Sequence, residues 1–152
     1  MNKQKLILHH VDDSIDILKK ANDLVIPQAG WIYSIRKALN MSLRQLGKRM
    51  NITPQSMKEI EEREKSGTVS INVLRQVAGA LNAKFIYGYV PNDASLEKMI
   101  EERALTLAKE IVHRTSNNMR LEDQENSTER IEIAINEKTK DIIANMPRYL
   151  WE

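Results

Sequence analysis

Residues 42–64, SLRQLGKRMNITPQSMKEIEERE, read as two short helices joined by almost nothing. Ser42 followed by Gln45 is a capping box: the serine hydroxyl accepts an unpaired helix N–H while the glutamine reaches back to the first one. A helix over 42–50 is therefore predicted, with Leu43, Leu46 and Met50 facing inward. Thr53 and Pro54 mark the next start as N-cap and first helical residue. Between the helices stands Asn51, a residue type that enters left-handed backbone more readily than most. Gly47 offers the missing side chain that two closely crossing helices need, and Met57 and Ile60 supply aliphatics for the inner side of the second helix. Capped helix, tight turn and second capped helix form a helix-turn-helix pattern, which presents one face of its second helix to a DNA groove.

On that outward face stand Gln55, Ser56 and Glu59. Glutamine makes paired hydrogen bonds to adenine, serine reaches several acceptors, and glutamate accepts from the cytosine amino group. These three are the candidate base contacts. Arg44, Lys58, Arg63 and Lys65 are candidate phosphate contacts, together with Ser42 and Thr53 at the two helix N-termini. The acids at 61, 62 and 64 are expected to repel phosphates and hold that end of the helix away from DNA.

Charge is unevenly spread along the 152 residues. Residues 31–90 carry ten Lys/Arg against four Glu, a net of +6; residues 91–152 carry nine basic and thirteen acidic groups, a net of −4; residues 1–30 balance. A basic centre and an acidic tail point to two partners, one of them polyanionic. Absence of cysteine removes disulfides and thiolate chemistry and suits a reducing cytoplasm. No apolar run approaches the ~18 residues of a membrane span, and the N-terminus lacks the pattern of a signal peptide. With no glycine-rich phosphate loop and no Ser/His/Asp pattern, no enzyme is read here. Three histidines, His9, His10 and His113, have no metal-ligand spacing, so neither metal nor cofactor is expected.

Around the central pair, apolar periodicity predicts further helices. Leu8, Val11, Ile15, Leu18, Ala21 and Val25 form one stripe over about 5–25. Trp31, Ile32, Ile35 and Leu39 open a helix ending near Asn40. Ser70 caps a stripe of Ile71, Leu74, Val77, Ala78 and Leu81. Another helix is predicted over about 95–117, with Leu96, Ile100, Ala104, Leu107 and Ile111 inward. The last, capped by Asn126 with Glu129, places Ile131, Ile135, Ile142 and Met146 inside and stops at Pro147. The carboxylates of 122–125 read as a polar linker, and Trp31 and Trp151 as core anchors. KFIYGYV, residues 84–90, is the one convincing strand. A lone strand leaves its backbone groups without partners, so antiparallel pairing with the same strand of a second copy is expected, with residues 5–9 as the fallback.

The stretch from Met41 to Glu61 resembles the helix-turn-helix of the XRE/Cro family of phage-type repressors, although Asn51 stands where that family usually has Gly. This likeness implies an all-α, lambda-repressor-like helix-turn-helix bundle, here with one short β-strand at about 85–90 and additional C-terminal helices. The expected domains are an N-terminal helix over 1–26, the DNA-binding domain over 27–91, and a helical region over 92–152 for dimerisation or partner binding. GWIYSIRKALNMSLRQLG, GTVSINVLRQVAGALNAKFIYGYVP, MRLEDQ and PRYLWE resemble a narrower family, called mobile mystery protein A, across residues 27–152. The resemblance is most specific at Gly30-Trp31, Met41 to Leu46, Leu121 to Gln124 and Leu150-Trp151. It implies a homodimeric, cytoplasmic regulator of its own operon and the antitoxin of a Fic-domain protein. Some Fic antitoxins carry an inhibitory helix with Ser/Thr, three residues, Glu, then Gly/Asn. Thr106 to Glu110 and Thr128 to Glu132 have that spacing, followed by Ile111 and Ile133, so Glu110 and Glu132 are the candidate inhibitory groups. The alternative is a free-standing repressor with no toxin partner.

Overall fold

The structure, a computed structural model, describes residues 2–121 and 127–152, without the side chains of 119–121. Among the described residues it is all-helical, with no strand. The chain forms two compact units, Ala21–Gly88 and Met1–Lys20 together with Tyr89–Glu152.

The first unit holds four short helices: α2 (Trp31–Ala38), α3 (Leu43–Arg49), α4 (Pro54–Ser66) and α5 (Ile71–Ala80), the first helix, α1 (Lys3–Lys19), belonging to the other unit. Their core is Ile32, Leu46, Met57 and Val77, packed by Met41, Leu43, Met50, Ile52, Ile60 and Leu74 among others. Ends are marked by residue type. Ser42, Thr53 and Ser70 cap α3, α4 and α5 through their hydroxyls. Asn40, Asn51 and Asn82 follow α2, α3 and α5 in left-handed backbone, where asparagine is among the better tolerated residues.

In the other unit are α1 (Lys3–Lys19), α6 (Leu96–Leu121), α7 (Thr128–Asn145) and a 3-10 turn, Arg148–Trp151. Ala104 and Ala108 on α6 are fully buried against Ile135, Ile142 and Leu150; such small side chains let two helices approach closely. Asp12 of α1 accepts hydrogen bonds from the N–H groups of Leu96 (2.9 Å) and Glu97 (3.1 Å), holding a carboxylate at the start of α6. Arg103 donates to the carbonyls of Leu150 and Glu152, both at 2.6 Å, and so fastens the terminal turn. None of the described helices is long and apolar enough to cross a membrane.

Several expectations are corrected. Helix α1 stops at Lys19, not near 25, because Ala21–Asp23 turn; beyond it Leu24 and Val25 are exposed. Asn22 and Asp23 favour such a turn over another helical one. Residues 5–9 are helical and cannot serve as a strand partner. Helix α6 runs on to Leu121, since asparagines at 117 and 118 weaken a helix without breaking it. Ser127, one residue beyond the expected start, caps α7 by accepting from the Arg130 N–H; Asn126 and the carboxylates of 122–125 lie outside the described residues. Trp31 and Trp151 are exposed, not core anchors. The expected strand at 85–90 is not formed within one copy: residues 84–90 are neither helix nor strand, and among the described residues no backbone group of theirs is paired with another to start a ladder.

Candidate nucleic-acid interface

The turn between α3 and α4 is built almost wholly from local hydrogen bonds. Ser42 Oγ accepts from the Gln45 N–H at 3.1 Å while Gln45 Oε1 accepts from the Ser42 N–H at 2.8 Å. Helix α3 then ends by directing the Met50 and Ile52 N–H groups to the Gly47 carbonyl, at 3.1 and 2.9 Å. Asn51 takes φ +55° between them. Thr53 Oγ1 accepts from the Ser56 N–H at 3.1 Å, and Pro54, which has no N–H to lose, opens α4.

Gly47 sets how tightly this corner closes. A Cβ there would stand 2.9 Å from the Ile52 carbonyl oxygen and 3.3 Å from that of Thr53. Backbone cannot yield as a flexible side chain can, so only glycine fits without moving the turn. Leu46 and Met57, both fully buried, belong to the core of this unit.

Helix α4 buries Met57 and Glu61, with Ile60 and Glu64 half-buried, one side of a 3.6-residue period. Gln55, Glu59 and Glu62 therefore share the opposite, exposed side. Lys58 and Lys65 flank that side on one edge and Arg63 on the other, all exposed. Ser56 is half-buried and its oxygen accepts from the Thr53 hydroxyl at 2.9 Å. Of the candidate base contacts, Gln55 and Glu59 are thus fully presented and Ser56 partly. Among the candidate phosphate contacts, Ser42, Arg44 and Thr53 are exposed too, yet the Thr53 hydroxyl already both donates to and accepts from Ser56. Glu110 and Glu132 are exposed on α6 and α7 in the other unit. Thr106, four residues before Glu110, donates its hydroxyl to the Glu102 carbonyl of its own helix.

The acids at 61 and 64 do not face outward. Glu61 is buried and takes two hydrogen bonds from Arg36 of α2, Nε to Oε1 at 2.5 Å and Nη2 to Oε2 at 3.1 Å. The third arm of the guanidinium donates to the Met41 carbonyl at 2.9 Å, and its carbon lies 5.4 Å over the Tyr33 ring. The hydrogen bond to Glu61 holds the Arg36 pKa above its ordinary value, while burial pulls the other way. Glu64 Oε1 accepts from the Ile32 N–H at 3.0 Å, one of the unpaired donors at the start of α2. The carboxylate reaches it because Gly30, at φ +87°, has no Cβ in the way. Two of the three acids therefore lock α4 to α2, and Glu62 alone remains on the outward side. A readable signal existed: positions 57, 60, 61 and 64 form one helical stripe, and an acid inside an apolar stripe calls for a buried partner.

Against known proteins, the chain matches no protein-family model, no curated protein and no solved structure.

Proposed function

We propose that the chain is a sequence-specific, DNA-binding transcriptional regulator whose recognition helix is α4. The observation carrying this reading is Gly47: its close contact with the Ile52 carbonyl fixes α3 against α4 and leaves Gln55 and Glu59 on an exposed face. Lysines and an arginine border that face on both edges, which suits phosphates on either side of a major groove. With Glu61 and Glu64 turned inward, the acidic end of α4 opposes DNA far less than the sequence suggests. Test: titrate a labelled fragment from upstream of the gene with the full chain, in a gel shift at two salt concentrations. Tight, salt-dependent binding beyond that of an unrelated fragment is expected; equal affinity for both fragments contradicts sequence-specific reading.

The resemblance to the mobile mystery protein A family extends this proposal to the antitoxin of a Fic-type pair, repressing its own operon. The partner surface would then be the unit of α6 and α7, where exposed Trp151 lines a groove with Ile100 and two methionines, Met99 and Met146, whose flexible side chains suit a protein partner. Glu110 and Glu132 are its candidate inhibitory groups. A neighbouring reading frame without a Fic signature, together with no co-purified partner, would leave a free-standing repressor.

A further inference from the structure

Residues 84–90 carry the densest run of β-favouring side chains in the chain, yet among the described residues none of their backbone groups takes part in a backbone hydrogen bond. Ile86 is 67% exposed, Tyr87 55% and Tyr89 86%. Rings of Phe85 and Tyr87 stack at 5.9 Å with 20° between planes, as alternate residues on one side of a strand do. Arg75 of α5 lies 5.7 Å over the Tyr87 ring, and Ile71, one turn earlier, is exposed. A bare, β-prone stretch of this length is what natural proteins avoid leaving uncovered.

We propose that this segment pairs antiparallel with the same segment of a second copy, about a two-fold axis passing through Tyr87. Self-complementarity selects a second copy over an unrelated partner. With the axis at Tyr87, Phe85 lies opposite the partner's Tyr89 and Tyr87 opposite the partner's Tyr87. Every cross-strand pair on that face is aromatic, the kind of pair that stabilises antiparallel ladders. On the other face Ile86 meets the partner's Gly88, large against small. Lys84 is the only charged residue of the seven, and in this register the two copies place it at opposite ends of the ladder, about 20 Å apart. Moving the register by one residue would set Tyr87 against Gly88 and lose every aromatic pair. Ile71 and Arg75 bring α5 of each copy to the margin of the same interface. The inference concerns assembly alone and does not rest on the DNA reading.

The natural chain has no cysteine, so a single introduced one reports the axis directly. Under mild oxidation Tyr87→Cys is expected to convert almost fully to a disulfide-linked dimer, because residues facing each other across an antiparallel ladder fall within the Cα separation a disulfide needs. Ile133→Cys, exposed on α7, serves as control and is expected to stay unlinked. Light scattering of the wild-type chain should give about twice its 17.5 kDa mass at micromolar concentration. Tyr87→Pro, which removes a ladder donor, should raise the dimer dissociation constant at least tenfold at unchanged helicity by circular dichroism. A monomeric wild-type chain would overturn the proposal, as would equal cross-linking at 87 and 133, or a dimer indifferent to Tyr87→Pro with no cross-link at 87. If Tyr87→Pro does not fold, the cross-linking pair decides.

Discussion

Residues 42–66 and residues 84–90 sit in the same chain and treat their backbone in opposite ways. In the first, the unpaired groups at each helix end find partners nearby: Gln45 N–H on Ser42, Ser56 N–H on Thr53, Ile52 N–H on Gly47. The more distant acids Glu61 and Glu64 complete it by binding α2. In the second, no backbone partner lies within the chain among the described residues, and two of the three aromatic rings are largely exposed. The difference is one of range. A helix closes its hydrogen bonds four residues away, whereas a strand needs another strand. On the proposals above, the self-contained corner acts alone as a reader, and the β-prone segment is completed only by pairing with a second copy.

Substitutions can break or sharpen that contrast. The largest effect is expected at the α2–α4 lock: Arg36→Ala or Glu61→Ala should lower folding stability by about 3–5 kcal/mol, since each strands a buried charge. Urea unfolding followed by Trp31 fluorescence, in a Trp151→Phe background, would measure it. Replacing both partners, Arg36→Met with Glu61→Leu, should recover most of the loss. Gly47→Ala comes next, at a loss of about 1–3 kcal/mol from overpacking against backbone, larger than the ~1 kcal/mol that alanine gains in helix propensity. Glu64→Ala should cost about 0.5–2 kcal/mol by the same measurement, as capping substitutions do, and Glu64→Gln less, because an acceptor is kept. Smallest of all, Tyr89→Ser should change the stability of a dilute single copy by no more than about 0.5 kcal/mol. A large loss there would mean that residues 84–90 already hold one copy together.

How much of this was legible depended on that same range. Ser42 with Gln45, Thr53 with Pro54, and Ser70 announce helix starts within three or four residues, and each is a cap in the structure. Gly47 and Asn51 were readable because a corner leaves few residue types for a close contact and a positive φ. Arg36 with Glu61, Ile32 with Glu64, and Asp12 with Leu96 were not, being contacts between residues 25, 32 and 84 positions apart. The acids of α4 were read as a surface because charge is usually solvated, although their place in the Met57–Ile60 stripe pointed inward. At 85–90 the side chains favour extended backbone, but propensity supplies no partner, so among the described residues of a single copy no strand forms there.

The central claim, that the outward face of α4 reads DNA, is tested most directly by comparing Gln55→Ala and Lys58→Ala across a set of operator variants differing at single base pairs. Gln55→Ala should weaken binding by about 1–3 kcal/mol and abolish discrimination at one base position. Lys58→Ala should weaken binding to all variants alike and lower the slope of log affinity against log salt by about 1. If neither substitution alters affinity or base preference, α4 is not the reading helix.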